Sequence, residues 1–367
     1  MHKNDQDGKV MLSRRSALKA GILGFGGVTA GAVLAKAKLP VFPEGDKLGR
    51  VATPKINLYA RPDATSQVLN PLNEDAVFPW LREVSGYHPY RITQRFVESP
   101  DGFIWSGSVQ PVEYHPNPDP AQLKQTSLGE GMWVEVTIPY VDLILDNPPA
   151  RSPWLKTSTA PRLYYSQILW VDSIIHNSEI GKTFYRINER YSYGDIFLAD
   201  STAFRPITAE ELGPIHPEVD DNKKVIVDVT RQSLSCFEGN REVYYCRVST
   251  GGKTDASGNA VDKWATPMGP HPIWRKVVSL HMSGGTTGGG YDLPGIGWTT
   301  LFVGNGVAIH ATFWHNNFGV PMSHGCVNTR PEDAKWIFRW TTPHVEYDPG
   351  DITISMPGGT RIEIVET

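Results

Sequence analysis

The residues best suited to chemistry fall in one short run, Met322-Ser323-His324-Gly325-Cys326-Val327-Asn328, with Ile309-His310 upstream. Cysteine is scarce: Cys236, Cys246 and Cys326 are all the chain holds in 367 residues. A thiol flanked by histidine and glycine is a candidate nucleophile, because the thiolate is the reactive form and an unperturbed thiol is mostly protonated near neutrality. It therefore needs a base, and His310 and His324 both stand in the segment. Gly325 lets the backbone approach a substrate closely, as an oxyanion-binding turn requires. His315, in Trp314-His315-Asn316-Asn317-Phe318-Gly319, reads either as a channel-lining residue or as a packing residue on a turn. His310, His315, His324 and Cys326 would also make a zinc donor set. Ligands two apart, as His324 and Cys326 are, make an uncommon pair, and no metal is expected.

The string from Ile309-His310-Ala311 to Ser323-His324-Gly325-Cys326-Val327-Asn328 resembles the signature of the L,D-transpeptidase catalytic domain (YkuD-like) family: a histidine, a spacer, then Ser/Thr-His-Gly-Cys-x-Asn or Arg. Thr266-Pro267-Met268-Gly269-Pro270-His271-Pro272-Ile273 resembles that family's Thr-Pro-x-Gly-x-x-x-Ile segment. The resemblance implies an exported acyltransferase acting on peptidoglycan stem peptides without a cofactor. Cys326 would be the nucleophile and His310 the general base, its ring oriented by the carbonyl of Ala311. Ser323, His324 and Gly325 would shape the oxyanion site, and Asn328 would brace the loop or touch substrate. Attack on an amide beside a D-amino acid would leave a thioester. A stem amine would resolve it into an L,D cross-link, water into an L,D-carboxypeptidase product, and an envelope protein's amine into a wall attachment. A non-catalytic wall-binding protein is the alternative from a different class, and the intact His310/Cys326 pair argues against it.

The elements that must position these residues are mostly strands. Hydrophobic residues make up 40%, with 35 Gly, 29 Pro and 11 Trp, which suits a turn-rich, mainly β protein. The balance of 35 basic against 39 acidic residues excludes an electrostatic nucleic-acid binder. The catalytic unit is expected over 223–356, as a β-sandwich-like domain opened by Val225–Val229 and carrying one short helix over Pro331–Trp340. Ala334, Ile337 and Phe338 space its apolar face, and Pro331 with two early acids starts it. The glycine-rich stretch 284–298 reads as a mobile loop and candidate lid, with Tyr291 and Trp298 as substrate-channel candidates. Upstream, 50–112 resembles a bacterial SH3-like β-barrel. A weak repeat predicts a second, elaborated β module over 129–214: Tyr90–Arg95, Phe103–Trp105 and Val109–Val112 recur as Tyr185–Arg190, Ile196–Leu198 and Phe204–Ile207. Such modules either position wall polymer or pack on the catalytic unit and define its cleft. Trp80, Tyr87 and Trp105 are equally core or platform candidates.

Residues 1–37 resemble a twin-arginine export signal: Ser13-Arg14-Arg15-Ser16-Ala17-Leu18-Lys19, an uncharged stretch, then Ala35-Lys36-Ala37 as a cleavage site. Left uncleaved it would be a membrane anchor; cleaved, it leaves the protein in a bacterial periplasm or wall. Cys236 and Cys246 sit on two strands joined by Glu238-Gly239-Asn240-Arg241. A simple hairpin sets Cys246 opposite Ser233 and the two thiols on opposite faces, as buried, unpaired small hydrophobes.

Overall fold

The computed structural model describes residues 40–118, 120–158, 160–252, 259, 264–284 and 291–367. The expected export signal over 1–37 lies outside them, as do the glycines at 285–290. Among the described residues, no helix is long and apolar enough to cross a membrane.

The fold is mainly β. Leu48–Val51 is the centre of a small antiparallel sheet between Val77–Pro79 and Val109–Val112. Beside it a five-stranded sheet runs in the order Val68–Asn73, Lys55–Tyr59, Gly102–Trp105, Arg95–Ser99, Arg82–Ser85. Val51, Phe78, Trp80, Val97 and Ile104 fill the space between. Trp80 and Trp105 are therefore core residues, whereas Tyr87 is exposed.

A seven-stranded sheet follows, built around Gly129–Val136, Ile168–Asn177, Lys182–Asn188 and Ile196–Asp200. The sequence repeat is half structural. Gly102–Trp105, a single 3-10 turn (Ser106–Ser108) and Val109–Val112 recur as Ile196–Asp200, a 3-10 turn (Ser201–Ala203) and Phe204–Pro206. The front half does not recur. Tyr185 and Ile187 are buried in a strand, while Tyr90 and Ile92 are exposed on a turn.

The C-terminal unit is two five-stranded sheets. One is ordered Arg241–Arg247, Ser233–Glu238, Lys223–Asp228, Arg361–Val365, Gly269–Pro272; the other Val327–Thr329, Val307–Ala311, Tyr291–Val303, Arg275–Gly284, Asp351–Thr353. Val225, Leu234, Cys236, Ile309, Val327 and Ile364 join both sheets in one core, closed by Ile337 and Trp340 of the helix Pro331–Trp340. The helix has the expected bounds: Pro331 holds its first position, Glu332 and Asp333 its first turn and Arg339 its last. Buried Lys276 donates to the carbonyls of Phe338 and Thr341, satisfying acceptors that the last turn leaves unpaired.

Two expectations are corrected. The segment 284–298 is not a loop throughout, because Arg275–Gly284 and Tyr291–Val303 are paired antiparallel with Gly284 opposite Tyr291. The cysteines do not face opposite ways. A bulge between Cys236 and Phe237 shifts the register so that Cys246 opposes Leu234, which puts both thiols on the core face. They are nevertheless buried and unpaired, and burial pushes both thiols up.

The upstream β units share core with the C-terminal unit. Trp133, Ile168 and Trp170 pack with Val278, Trp298, Ala334 and Phe338. Buried Arg50 reaches three segments at once, donating to Gln110 Oε1 (2.9 Å), Asp75 Oδ1 (2.7 Å) and the Phe313 carbonyl (2.9 Å), with its guanidinium 3.9 Å from the Tyr164 ring centroid. Asn316 donates its backbone N–H to the Gly107 carbonyl, and Thr93 donates to Asn317 Oδ1 at 2.6 Å. The upstream units thus hold the segment 313–317 that follows His310.

Candidate active site

Val307–Ala311 pairs in parallel with Val327–Thr329, setting His310 opposite Asn328 and starting the second strand one residue after Cys326. The pairing thereby brings Cys326, just ahead of the second strand, close to His310 on the first. The turn before Cys326 is tightly bonded. Ser323 Oγ accepts the Gly325 N–H (3.1 Å) and donates to the Cys326 carbonyl (2.5 Å), while Thr266 Oγ1 donates to the Gly325 carbonyl (2.8 Å). Gly325 has φ +125°, a backbone conformation that other residues adopt only under strain. The backbone of Ser323 is tied to Thr250 and Gly252.

His310 is buried, and its Nδ1 lies 2.9 Å from the Ala311 carbonyl. That carbonyl can only accept, so the ring proton sits on Nδ1 and Nε2 keeps its lone pair. Burial holds the His310 pKa down at about 4, against a smaller opposing pull from Ala311. Burial likewise pushes the Cys326 thiol up to about 11, with the Ala308 backbone acting in the other direction. At neutral pH both groups are uncharged. The site rests as thiol and imidazole, not as an ion pair.

His310, Ser323, His324, Cys326 and Asn328 line one cavity of about 350 Å³ with Tyr291 and Met322. The Tyr291 ring lies 5.6 Å from that of His324, and Trp264 packs edge-on against His324 at 4.5 Å. Six of the sequence-nominated residues, together with Gly325 of the turn, thus converge. Two do not line this cavity. Trp298 is buried with φ +56° and packs against Phe338 at 5.5 Å, in the core shared with the upstream sheet.

His315 is also buried, and burial holds its pKa down at about 3 with a further push from His310. The Asn317 backbone N–H donates to His315 Nδ1 at 3.2 Å, which puts the ring proton on Nε2. The Asn328 side-chain amide lies 3.0 Å from that Nε2. With Nδ2 facing it, two donors would meet while Oδ1 stays buried without a partner. Turning the amide over satisfies both, so we assign Oδ1 to His315. His315 therefore braces the strand opposite His310. With both its nitrogens engaged it is not placed as a metal ligand, and no group of three or more His, Cys, Asp or Glu suited to a metal occurs among the described residues.

Sequence reasoning missed Thr266 as a hydrogen-bond partner of the turn, although Thr266-Pro267 had been singled out. It also missed a buried cluster behind the cavity. His281 lies between Glu189 Oε2 (2.8 Å) and Asp292 Oδ1 (2.5 Å), on the strand pair that carries Tyr291. Burial opposes its charge, but the hydrogen bonds and charges of Glu189 and Asp292 prevail and raise its pKa to about 9.

Comparison with known proteins bears directly on this site. Residues 222–364 match the model of the YkuD family, described as the L,D-transpeptidase catalytic domain. The probable L,D-transpeptidase YbiS of Escherichia coli strain K12 is 28% identical over 103 residues, or 26% of this chain and 28% of that protein. The chain thus spans just over a quarter of the length of this relative. Among solved structures, an L,D-transpeptidase from Xylanimonas cellulosilytica is 23% identical, with a TM-score of 0.28, covering 41% of this chain and 63% of that one. One from Mycobacterium smegmatis is 15% identical with a TM-score of 0.31, covering 50% and 90%. Over residues 222–364 the chain is therefore similar to the L,D-transpeptidase catalytic domain family.

Proposed function

We propose that the protein is an exported L,D-transpeptidase acting on peptidoglycan stem peptides through a Cys326 thioester. The observation that carries this reading is the shared cavity of Cys326 and His310, with His310 Nε2 left as an acceptor by the Ala311 carbonyl. As Cys326 Sγ attacks the carbonyl carbon, His310 Nε2 takes the thiol proton. It returns that proton to the departing amine, which leaves with the terminal D-amino acid. Gly325 N–H is engaged by Ser323 Oγ, so the oxyanion is met by the N–H of Cys326. A stem amine then attacks the thioester, His310 accepts its proton, and the thiol is restored with a new amide formed. Water in place of the amine gives carboxypeptidase action, and an envelope protein's amine gives wall attachment. Tyr291 and His324 form one wall of the cavity, and Ser323 and Gly325 fix the turn.

The test is acylation by a carbapenem, whose strained amide a reactive thiol of this kind opens. Intact-mass spectra should show one covalent adduct on the wild type and none on Cys326→Ala. No adduct on the wild type, or an equal one on the variant, overturns the reading. Incubation with a tetrapeptide-stem muropeptide and mass analysis of the products then identifies the acceptor.

A further inference from the structure

A second cavity, of about 310 Å³, lies where the first β unit meets the C-terminal unit, and its lining holds three arginines and no carboxylate. Arg95 comes from the strand Arg95–Ser99, Arg247 ends the strand Arg241–Arg247, and Arg330 precedes the helix Pro331–Trp340. The turn Phe318–Gly319 fixes two of them. The Arg330 guanidinium lies 5.7 Å from the Phe318 ring centroid. The Arg247 guanidinium lies so close over Gly319 that a Cβ there would stand 2.3 Å from Nη2. Glycine at φ +102° therefore clears the seat for Arg247.

Arg95 is paired with Glu83 at 2.9 Å, but no ion pair is found for Arg247 or Arg330 among the described residues. Collecting like charges around a recess is unfavourable unless an anion or solvent answers them. A short chain of contacts links the wall of this recess to the wall of the Cys326 cavity. Thr93, on its wall, donates to Asn317 Oδ1, and Asn317 Nδ2 contacts Met322 Sδ at 3.5 Å, where Met322 lines the Cys326 cavity.

We propose that the Arg95/Arg247/Arg330 recess is a carboxylate-binding subsite that grips a free carboxylate of the peptide substrate at a distance from the reacting amide. This rests on the reading of Cys326 as acting on wall peptides, and it adds a reason for the first β unit to touch the C-terminal one. The planar guanidinium fork suits a carboxylate bidentately, and the pairing is charge-assisted.

The test is binding, read by titration calorimetry on the full chain carrying Cys326→Ala, so that no turnover is needed and failure of the acyl-transfer reading leaves the measurement intact. The probe is a stem-type tetrapeptide with free carboxylates, compared with its all-carboxamide twin. The acid should bind about tenfold more tightly than the amide. Arg247→Gln and Arg330→Gln should each erase most of that difference while leaving the amide's affinity in place, and Arg247→Lys should restore part of it. Arg241→Gln, the same charge change at the exposed start of the strand, should do nothing. Equal affinities for acid and amide, or an Arg241→Gln loss as large as that of Arg247→Gln, would overturn the subsite. So would inorganic phosphate displacing the peptide at equal concentration, since the recess would then be a general anion site. Thermal midpoints within the spread of the parent show that the variants fold. If Arg247→Gln does not fold, Arg330→Gln carries the same comparison.

Discussion

At the scale of single residues, the unusual property is that the proposed nucleophile and its proposed base are both neutral. Cys326 loses its proton only around pH 11 and His310 gains one only around pH 4, each because burial disfavours its charged form. Two consequences are measurable. Alkylation of Cys326 by iodoacetamide should keep rising with pH well past the range of an ordinary thiol. The acid limb of turnover should fall near pH 4 rather than near the 6.5 of a solvated histidine. His310→Ala should abolish turnover and slow alkylation near neutrality, because the thiol proton loses the Nε2 acceptor that His310 offers. His324→Ala should also cost turnover, on the order of 10²–10³ if oxyanion geometry is lost, yet retain more of the alkylation rate. Its ring is packed between Trp264 and Tyr291. The reverse pattern would make His324 the base.

At the scale of elements, the parallel pair carrying His310 and Asn328 sets the geometry, while the strand pair carrying Tyr291 walls the cavity. That wall is fastened by His281 between Glu189 and Asp292, with Tyr193 edge-on to the imidazole at 5.7 Å. Because the folded-state pKa is raised to about 9 from an unfolded value near 6.5, protonation stabilises the fold fully below about pH 6.5. The contribution is lost as pH rises through about 9. Urea midpoints of the wild type should therefore decline between those limits, and His281→Asn should remove that decline; an unchanged slope would refute the clamp. None of this was legible in the sequence, since Glu189, His281 and Asp292 come from three segments that no local pattern joins. The Ser323–Asn328 turn was legible because it is contiguous, and the helix because Pro331 and the spacing of Ala334, Ile337 and Phe338 agree. Trp298 misled because its run is glycine-rich: Gly295 and Gly297 face Leu169 and Ile168 of the upstream sheet, where small size serves packing instead of motion. The bulge at Cys236 left no mark in a stretch where either register keeps apolar residues inward.

At the scale of the whole molecule, the upstream β units share a core with the C-terminal unit and hold the segment after His310. Deleting 50–207 would strip the partners from Trp298, Val278 and Phe338 and remove Arg50 from the Phe313 carbonyl. The truncated chain should be recovered aggregated or with Cys326 reacting like a solvent-exposed thiol. A soluble fragment with the parent's alkylation profile would show that the C-terminal unit stands alone. Arg50→Met is the milder probe. It leaves Asp75 held by Arg162 at 2.7 Å but abandons three acceptors, so a loss of about 3 kcal/mol in urea unfolding is expected.

Lys223–Asp228, the first strand of the C-terminal unit, lies between Ser233–Glu238 and Arg361–Val365, and pairs with the latter in parallel. Until Arg361–Val365 has left the ribosome, Lys223–Asp228 has one open edge and Gly269–Pro272 has no strand beside it. The upstream sheets can form during synthesis, but this sheet cannot close until more than a hundred further residues are made. Completion of the C-terminal unit is thus a late event, and a nascent chain stalled before residue 361 carries Cys326 without its finished support.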